Sequence, residues 1–223
     1  MPVAFLDLDG TLTDPKPGIT RSIRHALLAL GREAPDEAAL TWCIGPPLMQ
    51  SFVKLLGGEA DAARALALYR ERFSGIGLYE NRVYDGVPQM LTQLQGAGFR
   101  LYLATSKPHV FASRITVHFG LDDWLAGVFG SELDGTRSDK TALLAHALEQ
   151  TGAQPGQALM LGDREHDIVG ARNNGVAAIG ALWGFGSEGE LRAAGAPQLA
   201  TSPEHAADLI TAPGLLADQR SGG

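Results

Sequence analysis

Short apolar runs alternate with helix-length segments along most of the chain. The runs are continuous rather than alternating with polar residues, which predicts strands buried on both faces, as in a parallel sheet. They cover residues 3–8, 100–104, 128–129, 158–161 and 177–182. Amphipathic or helix-favouring segments separate them, over residues 86–95, 109–119, 140–151 and 167–174. This order predicts an α/β fold, a doubly wound parallel-sheet (Rossmann-like) core with helices on both faces.

The stretch between the first two predicted strands breaks this alternation. It is far longer than a crossover between neighbouring strands needs, and helical patterns fill most of it. A helix is predicted from residue 20 to 30 with Thr20 as its N-cap, and others over 36–42, 46–56 and 61–73. We therefore predict an inserted α-helical cap domain over 15–82, a core built from 1–14 and 83–212, and a flexible tail at 213–223.

Composition narrows the classes of function. The chain has 223 residues, 45% of them hydrophobic, and 25 acidic against 18 basic residues give a net charge of −7. Without a basic surplus, a nucleic-acid or anionic-membrane surface is not an expected partner. Cys43 is the single cysteine and lies in an apolar stretch, so we expect a buried thiol and no internal disulfide. With no signal peptide or membrane-length apolar run apparent, we expect a cytoplasmic protein. The sequence does not distinguish a monomer from a dimer.

Polar residues collect where the predicted strands end. In open α/β sheets the carboxyl ends of the strands are where ligands bind, so these residues are expected to meet at one edge. The four stretches are DLDGT at 7–11, ATS at 104–106, SDK at 138–140 and GDREHD at 162–167. The candidate site groups among them are four carboxylates, two hydroxyls and one ammonium group: Asp7, Asp9, Asp163, Asp167, Thr105, Ser106 and Lys140.

This set of groups indicates phosphoryl chemistry. Clustered carboxylates repel one another unless a cation or proton lies between them, and hard oxygen ligands suit Mg²⁺. An ammonium group and a hydroxyl are the partners expected around a phosphate anion. A carboxylate can attack phosphorus to form an aspartyl phosphate, and a second carboxylate can protonate the leaving oxygen. A Mg²⁺-dependent reaction on a small phosphate ester is therefore predicted.

The same stretches resemble the four motifs of the haloacid-dehalogenase-like phosphatases that carry a helical (C1-type) cap. The pattern D-x-D-G-T at 7–11 and the pattern G-D-x-x-x-D at 162–167 are the specific ones, whereas Thr105 and Lys140 are weak alone. Within that family the chain is most similar to the phosphoglycolate-phosphatase-like group, through ATSKP at 104–108 and WGFGSEGELRAAGA at 183–196. The cap segment IGPPL at 44–48 is also similar to that group.

The resemblance implies a role for each matching residue. Asp7 would be the nucleophile and a Mg²⁺ ligand, and Asp9 the general acid and base, with its backbone carbonyl also reaching the metal. Lys140 would bridge Asp7 and the phosphate. Asp163 would bind Mg²⁺, and Asp167 would bind it directly or through water.

Other residues are expected around the substrate. Thr105 and the Ser106 backbone amide would hold the phosphate, and Gly10 would let the chain pass close to it. Lys107 directly follows the hydroxyls and competes with Lys140 for the bridging role, although strand-end position favours Lys140. Substrate contacts are expected from Lys107, Gly45 and Pro46.

Several functions remain open at this point. A phosphoglycolate-like ester is the first candidate, and a 5'-nucleotidase or a phosphomutase would share the same core. A dehalogenase would have no use for Asp9. A non-enzymatic receiver module, which also groups carboxylates, a threonine and a lysine, is disfavoured because it lacks an insert after its first strand.

Overall fold

Six parallel strands form the sheet in the order β3-β2-β1-β4-β5-β6 in a computed structural model that describes residues 1–216. The strands are β1 (Val3–Leu6), β2 (Arg100–Pro108), β3 (Gly127–Ser131), β4 (Ala158–Gly162), β5 (Ala177–Ala181) and β6 (Gln198–Ala200). The predicted doubly wound parallel sheet is thus confirmed. The order of strands reverses beside β1, which makes the crevice at its carboxyl end the expected ligand site.

Helices cover both faces of the sheet and fill the stretch after β1. The helices of that stretch are α1 (Lys16–Ala29), α2 (Leu48–Leu56) and α3 (Ala62–Arg72), with a 3₁₀ helix over Glu37–Cys43 and a π-helical turn over Phe73–Gly77. The remaining helices are α4 (Val87–Gly96), α5 (His109–His118), α6 (Lys140–Thr151), α7 (Glu165–Asn173), α8 (Glu188–Ala193) and α9 (Pro203–Thr211), with a 3₁₀ turn over Pro155–Gln157.

The predicted start of the first helix was wrong. The helix begins at Lys16 rather than after Thr20, and Thr20 lies inside it with its hydroxyl donating to the Lys16 carbonyl at 2.7 Å. Pro17 lies in the first turn, where a missing N–H costs nothing, and Asp14 Oδ1 accepts the Lys16 N–H at 3.2 Å. Asp14 therefore shapes the turn into the helix, as its position before Pro15 predicts.

The last part of the chain contains elements that the apolar pattern does not reveal. Strand β6 has three residues, of which only Ala200 is fully buried. Helix α8 follows a serine cap, with the Ser187 side chain accepting the Glu190 N–H at 3.1 Å. Leu215 and Leu216, in the predicted tail, pack half-buried against the core, and the rest of that prediction lies outside the described residues.

The apolar core lies on both faces of the sheet. Ala4 and Leu6 of β1 point to one side and Val3 and Phe5 to the other, as a strand's alternating side chains require. The cluster on the Leu6 side continues without a break into the inserted helices through buried residues that include Ile23, Phe52 and Tyr69. A separate cap domain over 15–82 remains a prediction, since this packing joins the insert to the sheet. Within residues 1–216 no helix combines the length and apolar character needed to cross a membrane.

Candidate active site

Strand register brings the predicted site residues to one edge of the sheet. Leu6 of β1 pairs with Leu103 on one side and Leu161 on the other. Asp7 comes next, and its backbone N–H donates to the Leu161 carbonyl at 2.9 Å. Thr105 on β2 and Asp163 after β4 therefore end up beside Asp7. Parallel strands in register deliver their carboxyl ends to the same place, which is why the four stretches converge.

Three buried carboxylates form a compact cluster at this edge. One oxygen each from Asp7, Asp163 and Asp167 lies within 4.8 Å of the others. Asp163 is held by two donors: the Thr11 hydroxyl reaches Oδ1 at 3.2 Å, and the Phe185 backbone N–H reaches Oδ2 at 2.8 Å. Three of the four carboxylates predicted at this edge, Asp7, Asp163 and Asp167, therefore lie together.

Lys140 lies among these carboxylates at the first residue of α6. Its Nζ is 3.0 Å from Asp7 Oδ1 and 2.7 Å from Asp167 Oδ1, and it also donates to the Ala104 carbonyl at 2.9 Å. Burial opposes the charge on Lys140, but Asp167 and Asp7 outweigh that effect and raise its pKa. Asp139 accepts the Ala142 N–H as the N-cap of α6, which sets where the lysine enters the site.

Asp9 lies outside the carboxylate cluster and has a different partner. Its carboxylate pairs with Lys107, with Nζ 2.9 Å from Oδ1 and 2.7 Å from Oδ2, and both side chains are buried. The same ammonium lies 4.8 Å from the centre of the Phe73 ring, which belongs to the insert. Lys107 and Lys140 therefore do not occupy one position: each lysine neutralises a different aspartate of the D-x-D pair.

Burial controls the protonation of these acids. It raises the pKa of Asp163 well above the ordinary value, with the charges of Asp7 and Asp167 adding to the effect. It raises the pKa of Asp167 to about 6, although Lys140 acts in the opposite direction. It also raises the pKa of Asp9, against the attraction of Lys107. Without a cation, this edge of the sheet favours bound protons.

The donor set fits a divalent cation. Four buried carboxylates face two buried ammonium groups here, a formal excess of two negative charges. Asp167 Oδ1 is buried and lies 2.7 Å from the Lys140 ammonium, which also pairs with Asp7. Three carboxylates converging on one point are ligands that suit Mg²⁺.

The predicted phosphate-binding residues lie on β2 and in the loop after β1. Thr105 is buried on β2, where its hydroxyl accepts the Lys107 N–H at 3.3 Å, and Ser106 borders the adjoining cavity. Gly10 was predicted to let the chain pass close to a phosphate, but the structure shows a different need for glycine at this position. A Cβ there would lie 2.2 Å from Asp163 Oδ2. A side chain at position 10 would therefore displace a carboxylate of the cluster.

A cavity of about 320 Å³ opens between the insert and the core, next to Asp9 and Lys107. Much of its lining is apolar, and the aromatic rings of the insert and α5 pack edge-on or stacked beside it: Tyr69 on Phe73 at 5.0 Å and Phe73 on Phe111 at 5.6 Å. Gly45 and Pro46, predicted as substrate contacts together with Lys107, also line it. Cys43 borders the cavity as a buried thiol, as predicted, and burial raises its pKa to about 11.

The sequence reasoning missed the loop over residues 183–186 as part of this site. The Trp183 indole N–H donates to the Thr11 carbonyl at 3.0 Å, and Phe185 supplies the N–H that holds Asp163. A Cβ at Gly184 would lie 2.4 Å from Asp163 Oδ2, and one at Gly186 would lie 1.9 Å from the Asp163 carbonyl. The two glycines in WGFG were the available signal, because close backbone approach is one reason for glycine in a loop.

Comparisons with known proteins agree with this geometry. A family model described as haloacid dehalogenase-like hydrolase matches residues 4–181. A Pseudomonas aeruginosa protein named 5'-nucleotidase is 54% identical over 193 residues, which are 86% of this chain and 87% of that protein. A phosphoglycolate phosphatase of Colwellia psychrerythraea is 26% identical over 82% of this chain and 85% of its own. The crystal structure of a predicted phosphatase from Clostridium acetobutylicum superposes with a TM-score of 0.90 at 39% identity, covering 94% of this chain and 98% of the other.

Proposed function

We propose that this chain, which belongs to the haloacid dehalogenase-like hydrolase family and is a phosphatase of that family, hydrolyses phosphate monoesters through an aspartyl-phosphate intermediate on Asp7. One observation carries the proposal. Asp7 lies in the carboxylate cluster with the Lys140 ammonium 3.0 Å from its Oδ1, and Asp9, two residues later, lines the cavity. A nucleophile with a cation site on one side and an acid on the other is what phosphoryl transfer in two steps requires.

In the first step, an Asp7 carboxylate oxygen attacks phosphorus and the bond from phosphorus to the ester oxygen breaks. Asp9 gives its proton to that oxygen, so the leaving group departs as an alcohol. Burial favours the protonated form of Asp9, because it raises the pKa of the carboxyl. Lys107 opposes protonation, and a phosphate oxygen that attracts the Lys107 ammonium would weaken that opposition.

In the second step, water attacks phosphorus and Asp9 accepts its proton. The bond from phosphorus to Asp7 breaks, and inorganic phosphate and the free carboxylate result. Lys140, held by three oxygens of the protein, stabilises the negative charge on the transferred group without having to move. Thr105 and the Ser106 amide would hold the remaining phosphate oxygens.

Asp7, Asp163 and Asp167 would hold Mg²⁺. When bound, the ion would neutralise charge on the phosphoryl oxygens and relieve the repulsion among the three carboxylates. The Asp9 side chain would not take part, because it lies beside Lys107; only its backbone carbonyl is available for such a role.

For the substrate class we favour nucleoside monophosphates over phosphoglycolate. The cavity of about 320 Å³, with Tyr69, Phe73 and Phe111 at its wall, has room for a ring-sized leaving group. The two-carbon leaving group of phosphoglycolate would leave most of that space to water. The similarity to the protein named 5'-nucleotidase, at 54% identity, supports the same choice.

The test is a phosphate-release screen with and without Mg²⁺. Its panel contains AMP, other nucleoside monophosphates, phosphoglycolate, sugar phosphates and phosphotyrosine. A preference of at least about tenfold in kcat/KM, roughly 1.4 kcal/mol, identifies the substrate class. A higher kcat/KM for phosphoglycolate than for every nucleotide would overturn the substrate proposal. Formation of a sugar-phosphate isomer without free phosphate would indicate a mutase instead.

A further inference from the structure

One side chain links the carboxylate cluster to the insert. Arg164 directly follows Asp163, and its backbone N–H donates to Asp167 Oδ2 at 3.1 Å. Its guanidinium Nη1 donates to the backbone carbonyl of Ile44. Ile44 precedes the segment 45–47, which lines the cavity. The same residue therefore contacts the cluster on one side and the cavity wall on the other.

The core holds this guanidinium in a defined direction. Arg164 Nε donates to Glu190 Oε1 at 2.8 Å, and the same oxygen accepts the Glu165 N–H at 3.0 Å. The Arg164 side chain is only 11% exposed. Because the donors of a guanidinium form a rigid planar fork, fixing Nε also fixes the direction of Nη1. Glu190 thus aims the arginine at the Ile44 carbonyl.

The close contact between the loop and Arg164 requires glycine at position 45. Its φ is +102°, in the left-handed region, and a Cβ there would lie 2.7 Å from Arg164 Cγ. A side chain at position 45 would both strain the backbone and push the loop off the arginine. The loop therefore lies directly on the aliphatic part of Arg164.

A second arginine makes the opposite connection across the same cavity. Arg70 of α3 donates to the Leu133 carbonyl, in the loop after β3, at 2.7 Å, and both residues line the cavity. Two hydrogen bonds from an arginine to a backbone carbonyl therefore link insert and core near the cavity, one in each direction: Arg70 to Leu133 and Arg164 to Ile44. Arg164 is the one whose other contacts reach the carboxylate cluster.

We infer that Arg164 is a positioning residue that fixes segment 45–47 as a preformed wall for the leaving group of the substrate. This inference rests on the proposed function, because it assigns that wall to the substrate of the same site. Holding the wall in place before binding would lower the ordering cost of binding. The loss of Arg164 would then weaken substrate binding more than the chemical step.

Arg114 provides a matched control. Like Arg164, Arg114 lies outside the insert, on α5, and donates to a carbonyl of the insert, that of Ser74, at 2.8 Å. Its partners Ser74 and Tyr79 do not line the cavity. For Arg164→Ala we expect the KM for AMP to rise at least about tenfold while kcat stays within about threefold. Arg114→Ala should leave KM within about twofold. A change that only loosened the fold would move both variants alike.

Glu190→Gln keeps Arg164 but weakens its orientation, and should raise KM in the same direction by a smaller factor. It also guards against misfolding of the alanine variant. Arg164→Lys should recover part of the loss, since lysine can reach one acceptor but cannot hold two in the fork geometry.

Hydrogen–deuterium exchange tests the inference without turnover. Peptides within residues 40–56 should exchange faster in Arg164→Ala than in the native protein or Arg114→Ala. If the native protein releases no phosphate from any ester, the proposed function fails and the exchange result alone decides the role of Arg164. Unchanged exchange in 40–56, or a KM no higher than that of Arg114→Ala in an active protein, would overturn the inference.

Discussion

The Lys140 ammonium lies 3.0 Å from Asp7 Oδ1, although 133 positions separate the two residues in the chain. The same nitrogen lies 2.7 Å from Asp167 Oδ1 and 2.9 Å from the Ala104 carbonyl. The lysine therefore orients the Asp7 carboxylate and also balances part of the negative charge of the cluster. Asp7 and Asp9 therefore have different ion-pair partners, Lys140 for Asp7 and Lys107 for Asp9.

Asp7→Asn removes the proposed nucleophile while keeping the shape of the side chain. We expect phosphate release to fall at least about a thousandfold, with the thermal unfolding midpoint retained. Asp14→Asn is the matched control: it lies in the same acidic stretch, but its carboxylate accepts hydrogen bonds from Lys16 and Arg82. Its activity should stay within about threefold of the native value. Full activity in Asp7→Asn would end the proposed mechanism.

Mg²⁺ should stabilise the fold through the carboxylate cluster. A ligand bound only by the folded state adds about 2.7 kcal/mol at a hundred times its Kd, so the thermal midpoint should rise on adding Mg²⁺. Asp163→Asn should abolish that rise. Asp9→Asn should preserve it, because the Asp9 side chain lies beside Lys107 and outside the cluster. If Asp9→Asn lost the Mg²⁺-dependent rise of the thermal midpoint and Asp163→Asn kept it, the ion would bind outside the carboxylate cluster.

The affinity for Mg²⁺ should depend on pH through Asp167. Burial raises the pKa of this carboxyl from 3.8 to about 6, so the folded state holds the proton more tightly than the unfolded state does. The metal-free protein should therefore lose stability as the pH rises from about 4 to about 6. Since Mg²⁺ must displace that proton, its Kd should be about tenfold larger at pH 5 than at pH 7. Titration calorimetry at several pH values checks this, and Asp167→Asn should weaken the dependence, leaving the part that comes from Asp163, whose pKa burial also raises.

Lys107 and Asp9 should behave as a coupled buried pair. Lys107→Met leaves the Asp9 carboxylate buried without its partner, which should cost about 3 kcal/mol in the free energy of unfolding. Adding Asp9→Asn to that variant should recover a large part of the loss, because no buried charge then remains unpaired. Denaturant unfolding of the native protein, the two single variants Lys107→Met and Asp9→Asn, and the double variant gives the coupling energy between the two side chains. Additive losses in the double variant would show that the two side chains do not interact.

Gly184→Ala tests the loop over residues 183–186. The new Cβ would lie 2.4 Å from Asp163 Oδ2 and from the Gly10 carbonyl, so it should displace the carboxylate and weaken Mg²⁺ binding at least about tenfold. Gly189→Ala is the control in the same stretch: its nearest neighbour would be Ser187 Oγ at 3.8 Å, an ordinary contact. Equal Mg²⁺ affinity in the two variants would contradict a positioning role for the loop.

The local pattern predicted the central strands because buried parallel strands leave a continuous apolar signature. The pattern failed where a strand is too short to show that signature, and where a turn before the predicted N-cap starts the helix earlier. Strand β6 has three residues at the edge of the sheet, too few to form a pattern. Thr20 has the properties of an N-cap, but Pro17 and the Asp14 turn start the helix one turn earlier. The glycines of 184 and 186 indicate a loop, and nothing local indicates that Asp163 is what they contact.

By itself, the sequence determined the fold class and the order of the polar strand ends, because apolar run length and motif spacing are properties of the chain alone. Only the tertiary structure decided which partner each charge has: Lys140 with Asp7 and Asp167, Lys107 with Asp9, and Arg164 with Glu190 and the Ile44 carbonyl. Those pairings follow from strand order, register and the docking of the insert. They join residues far apart in sequence, so distances of about 3 Å between them are set by the packing of the whole sheet and not by any local pattern.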